Sequence, residues 1–187
     1  VITGVCTGSG IWATHFVAML AYRGALPTYY EPITTLGSLL LAIALAVCGF
    51  ALAARNDWGS LGLGGAVVGI AIGVMHYVGM HALLVPGHLS WDPSLVTASL
   101  VIGIVLSAAA VLAFRRRTGM QAIATASGLL TLAICGLHFT AMGAVTIQPD
   151  PTIAVQGFGI NRVEMALAVA AVTLIVLLTP LPAAGGQ

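Results

Sequence analysis

Six apolar runs, each long enough to cross a bilayer, leave this chain few folds to choose from. They lie near residues 1–22, 33–54, 61–85, 94–114, 120–147 and 164–180, and a spanning helix takes about 20 residues. Only 6% of the 187 residues are charged and 59% are hydrophobic, whereas a soluble domain carries about 25% charged residues. The solvent for most of the chain is therefore lipid, where backbone polar groups must be satisfied internally. The expected fold is an all-α membrane protein with six transmembrane helices, one domain over residues 1–187. There is no Lys and the formal net charge is +1, so a nucleic-acid partner has no electrostatic footprint. Val1 opens inside an apolar run with no basic n-region and no cleavage site. The chain reads as a module of a longer protein. Cys6, Cys48 and Cys135 lie inside apolar segments without C-x-x-C spacing, which suits small buried hydrophobes better than a disulfide framework or a zinc ribbon.

The loops carry the punctuation and the charge. Glu31-Pro32 and Asp92-Pro93 place a carboxylate just before a Pro suited to a first helical turn. Asn161 followed by Glu164 has the form of a capping box opening the sixth segment. Arg55, Arg115, Arg116 and Arg117 lie in the loops after the second and fourth segments, against Arg23 and Arg162 in the opposite loops. The positive-inside rule then puts the four-Arg side and both termini in the cytoplasm. Segments one, three and five run outward.

Those three segments share an element. Gly10–Met19 contains His15-Phe16-Val17-Ala18-Met19, Gly73–Met80 contains His76-Tyr77-Val78-Gly79-Met80, and Gly136–Met142 contains His138-Phe139-Thr140-Ala141-Met142. The common core is His-[Phe/Tyr]-x-x-Met. The histidines stand 61 and 62 residues apart, so the chain is expected to form three helix-pair repeats, about 1–54, 61–114 and 120–180. Residues four apart share a helix face, about 6 Å apart along the axis. Each His is about 10–15 Å inside the external end of its helix. One such His is well explained by a hydrogen bond to a neighbouring carbonyl. Three at a fixed period point to function, because intramembrane ionisable groups are costly and usually functional.

The residue types suit a metal. Imidazole and thioether are neutral donors; thioethers select Cu(I), and imidazole accepts Cu, Zn or Fe. No carboxylate is embedded beside the elements, which argues against Mg, Ca or Mn. A singly charged Cu(I) also costs less to desolvate than a divalent ion. The expected arrangement is a deeper layer of His15, His76 and His138 beneath an outer layer of Met19, Met80 and Met142, binding copper. Phe16, Tyr77 and Phe139 are expected to pack between helices, although the Tyr77 hydroxyl can face the site. His81 and Cys135 are weaker ligand candidates, and His88, in an external loop, is a solvated residue that can help capture metal.

These elements resemble the MHYT domain of bacterial membrane sensors, named for a Met-His-Tyr-Thr tetrapeptide. Met75-His76-Tyr77 matches its first three letters with Val78 in place of Thr, and Thr14-His15-Phe16 and Leu137-His138-Phe139-Thr140 are degenerate copies. The resemblance implies a non-catalytic sensory module of a bacterial inner membrane, responding to O2, CO or NO through bound copper. It implies a cytoplasmic output domain in the same polypeptide, typically for cyclic-di-GMP synthesis or hydrolysis. The Met before His76 is missing before His15 and His138, so a ligand set using that position in all repeats does not carry over. Redox state is an alternative signal. Two rival readings stay open: a haem protein with two of the histidines axial, and a copper transporter or channel, which predicts ligands through the full membrane depth. The partners expected are the lipid bilayer, a diatomic gas and the output domain, with a homodimer left open.

Overall fold

The computed structural model describes residues 1–22, 24, 26–55, 57–155 and 159–178. Six helices carry the fold: α1 (Ile2–Ala21), α2 (Pro32–Ala53), α3 (Trp58–His81), α4 (Pro93–Arg116), α5 (Gly119–Ala144) and α6 (Arg162–Leu178). The first five are long and apolar enough to span a membrane, and α6 has 17 described residues. Residues 179 and 180, with which the sixth segment was expected to end, lie outside the described residues, as do Arg23 and Asn56.

The caps form as their residues dictate. Glu31 accepts from the amides of Ile33 (3.0 Å) and Thr34 (2.5 Å), and Asp92 from those of Ser94 (2.8 Å) and Leu95 (3.1 Å). Each is followed by Pro at the first helical position. Asn161 Oδ1 accepts from the amides of Val163 and Glu164, while Glu164 Oε2 accepts from the amide of Asn161. That is a reciprocal capping box. Arg162 Nη2 donates to the Leu20 and Tyr22 carbonyls, tying the start of α6 to the end of α1.

Consecutive helices from α1 to α5 pack side by side, α3 also touches α1 and α5, and α6 packs on α1. Close approach depends on small residues, since lipid offers no hydrophobic drive between helices. A Cβ on Gly8 would stand 2.5 Å from Ile43 Cα, and one on Gly69 2.5 Å from Ile104 Cα. Neither position accepts a side chain without parting α1 from α2, or α3 from α4.

The third and fifth helices stop at His81 and Ala144 rather than at 85 and 147, because the chain turns there into strands. β1 (Tyr29–Tyr30) pairs antiparallel with β2 (Leu83–Leu84), and β3 (Gly87–Trp91) with β4 (Val145–Pro149). Tyr30 also bridges Ile160. The β3 and β4 segments alternate apolar and polar, and Val145-Thr146-Ile147 is a β-branched run that suits a half-buried strand better than a helix. Leu89, Trp91, Val145 and Ile147 face inward and pack on the core, while His88 on the outer side pairs with Asp150 at 3.3 Å. The loops after α1, α3 and α5 thus join into one lid at one end of the bundle.

Candidate metal centre

His15, His76 and His138 lie six, five and six residues from the ends of α1, α3 and α5, beneath this lid. All three side chains are buried, at 2%, 1% and 6% exposure. They converge: Nδ1 of His15 stands 3.2 Å from Nδ1 of His76 and 3.2 Å from Nδ1 of His138. The rings meet edge to face, with centroids 4.9–5.2 Å apart and interplanar angles of 78–86°. One potential donor atom from each lies within 4.8 Å of the other two. Three buried imidazoles from three helices can hold a metal ion.

Hydrogen bonding alone does not satisfy this cluster. A ring nitrogen carries either one proton or one lone pair, so His15 Nδ1 cannot make two full hydrogen bonds. The Nε2 atoms of His15 and His76 are buried without a partner as well. A buried unsatisfied polar atom costs about 1–3 kcal/mol. A cation among the Nδ1 atoms would accept one lone pair from each ring.

The surroundings fix the rings. Gly79, one turn after His76 on α3, lies against His15: a Cβ there would stand 2.8 Å from its Nε2. Phe16 is fully buried, 4.8 Å from the His15 ring and 5.5 Å from Tyr30. Tyr77 stands edge-on to His76 at 5.0 Å and packs on Trp91 of the lid at 5.4 Å. Its hydroxyl meets Ser99 Oγ at 2.7 Å; since Ser99 donates to the Val96 carbonyl, Tyr77 is the donor. That hydroxyl is therefore spent on α4 and is turned away from the cluster. Phe139 is 67% exposed and faces outward, unlike its counterparts in the first two elements.

Met19 and Met80 are buried in the core, and Met142 is half-buried at its edge. Among the described His, Cys, Asp and Glu residues, the group placed closely enough to hold a metal is His15, His76 and His138. His81 is exposed at the last residue of α3, and Cys135 is half-buried outside the group. Gly79 and Ser99 are the positions that motif reading passes over. The cue for Gly79 was its place within the His76–Met80 element, where a glycine leaves a gap on the helix face.

Residues 8–66 and 69–126 each match the MHYT repeat, described as a bacterial signalling protein N-terminal repeat. The chain belongs to the MHYT family. The His138 element lies beyond the matched segments and joins the others by spacing and geometry. The MHYT chain is 37% identical over 182 residues to a signaling protein of Caulobacter vibrioides, covering 95% of this chain and 22% of that protein. It is 36% identical over 177 residues to the bifunctional diguanylate cyclase/cyclic di-GMP phosphodiesterase MucR of Pseudomonas aeruginosa, covering 91% and 26%. The cyclic di-GMP phosphodiesterase NbdA of the same species is 39% identical over 156 residues, covering 79% and 20%. The chain thus spans about a fifth to a quarter of the curated relatives it matches. No solved structure matches. This is the MHYT sensor domain, a multi-pass membrane module of the kind carried by cyclic-di-GMP signalling proteins.

Proposed function

We propose that the domain binds one copper ion, as Cu(I), through His15, His76 and His138, with Met19, Met80 and Met142 as the outer donors. The observation that carries this is the pair of 3.2 Å Nδ1 separations. Nitrogens bound at about 2.0 Å to one ion lie about 3.3 Å apart in a tetrahedral set and about 3.5 Å apart in a trigonal one. The two measured separations are close to both values, and the third pair of donors lies within 4.8 Å. The donors are neutral and buried, which favours a soft, singly charged ion. Rings meeting edge to face at 4.9–5.2 Å favour a single ion over a haem held between two of them, and donors gathered near one end of the bundle favour a fixed site over a permeation path.

A bound copper ion would supply a site for a diatomic gas or for an electron. The protein's part is to hold three imidazoles under the lid and exclude water. Each imidazole comes from a different helix, so a change in their spacing is a change in how α1, α3 and α5 pack. With Arg55 and Arg115–Arg117 at the opposite end, the positive-inside rule puts the histidines near the external face of a bacterial inner membrane and both termini in the cytoplasm. Repacking would reach a cytoplasmic cyclic-di-GMP output domain through α6, and the module itself performs no catalysis. Metal analysis of the purified chain beside the His15→Ala/His76→Ala/His138→Ala variant tests the binding half: copper retained only by the unmodified chain supports it, and equal copper in both sinks it. A CO stretching band in the infrared, present only with the copper-loaded chain, tests the gas half.

A further inference from the structure

The end of the bundle away from the histidines holds a cavity of about 850 Å³. It forms where the starts of α1, α3 and α5 meet the ends of α2 and α4. Its walls are mostly apolar, including Phe50, Leu61, Val111 and Leu130 beside Thr3, Thr7 and Ser127, and Arg115, Arg117 and Thr118 line it at the exposed side. Among the described residues neither arginine has a carboxylate partner. The one acidic residue at this end, Asp57, is engaged in capping α3 through the Ser60 amide. Arg116 differs from its neighbours: its guanidinium lies over the Trp58 ring at 5.2 Å and does not line the cavity. Thr118, at the start of α5, makes no side-chain cap hydrogen bond.

A mostly apolar chamber of ligand size with a cationic exposed side, inside a membrane protein, has the chemistry of an amphiphile with a negative head. We propose that this cavity is a binding site for an anionic phospholipid, one acyl chain lying between the helices and the phosphate held by Arg115 and Arg117. The bilayer supplies that molecule at high local concentration, and basic pockets between helices hold such head groups. The site is independent of the metal centre and would stand if copper binding failed.

The test titrates the detergent-purified chain with phosphatidylglycerol or phosphatidylcholine of identical acyl chains and reads retained lipid by native mass spectrometry. The expected preference for phosphatidylglycerol is on the order of tenfold. Arg115→Gln/Arg117→Gln abolishes the preference, Arg116→Gln keeps it, and Ala126→Trp, which fills the cavity, lowers retention of both lipids. Should the double Gln variant fail to fold, Arg115→Lys/Arg117→Lys must keep the preference and Ala126→Trp must still lower retention. Equal retention of the two lipids overturns the proposal, as does an equal loss in Arg116→Gln. Displacement of phosphatidylglycerol by inorganic phosphate at comparable concentration overturns it too, and assigns the arginines to a soluble anion.

Discussion

Replacing Gly79 by Ala sets a methyl carbon 2.8 Å from His15 Nε2, 3.1 Å from His15 Cδ2 and 3.5 Å from Phe16 Cζ. An ordinary contact begins near 3.4 Å, so the imidazole must retreat by about 0.6 Å. The backbone of α3 has little room to yield, because Gly69 holds it against α4 and His76 is one turn away. Phe16 is fully buried and blocks the other escape. A ligand set must stay within about 0.5 Å of its productive geometry, so the displacement exceeds what the proposed set of three histidines would tolerate. Changes of this kind just behind a metal ligand weaken binding about 10–100-fold. The assay is competition for Cu(I) against a chromophoric chelator, with helicity followed by circular dichroism. Gly79→Ala is expected to lose affinity in that range with its helix content intact. Gly143→Ala, where a new Cβ meets nothing within 4 Å, is expected to bind as the unmodified chain does. Equal affinity of Gly79→Ala and the unmodified chain would refute the reasoning.

Phe16 and Phe139 occupy the same motif position in opposite environments, so Phe16→Ala should destabilise by about 3–5 kcal/mol and Phe139→Ala by far less; detergent unfolding curves decide, and comparable losses would contradict the packing described. Hydrogen bonds from Thr34 and then Ile33 hold the Glu31 carboxyl below its ordinary 4.5, and those from Ser94 and then Leu95 hold Asp92 below 3.8. Because the folded values are depressed, both caps contribute fully above the ordinary values and are lost as pH falls through the folded ones. The thermal midpoint should therefore drop below about pH 4, and Glu31→Gln/Asp92→Asn should flatten that drop; an unchanged pH profile in the double variant would remove these caps from the explanation.

Much of this architecture was legible because lipid permits so few solutions. Apolar runs of spanning length specified the helices, and Glu31-Pro32, Asp92-Pro93 and Asn161-x-x-Glu164 marked three starts that form as read. The 61- and 62-residue spacings brought His15, His76 and His138 to one depth, although spacing alone does not tell which ring atoms meet. The lid was not legible. Its strands are two to five residues long, and they pair loops far apart in sequence, so no local pattern reveals the partner. Val145-Thr146-Ile147 continued the apolar run of α5 and hid its end. The glycine seams were present as four-residue spacings, Gly4 to Gly8 and Gly65 to Gly69, but their partners on adjacent helices come only from packing. For Tyr77, sequence offered a hydroxyl near the site; Ser99, on the next helix, takes it elsewhere.

The central claim is that three imidazoles from α1, α3 and α5 ligate one ion together. X-ray absorption at the copper edge of the Cu(I)-loaded chain tests it most directly. The account predicts a shell of nitrogen neighbours at about 2.0 Å that diminishes in each of His15→Ala, His76→Ala and His138→Ala. A spectrum unchanged by all three substitutions, or one with no nitrogen shell at that distance, would contradict it.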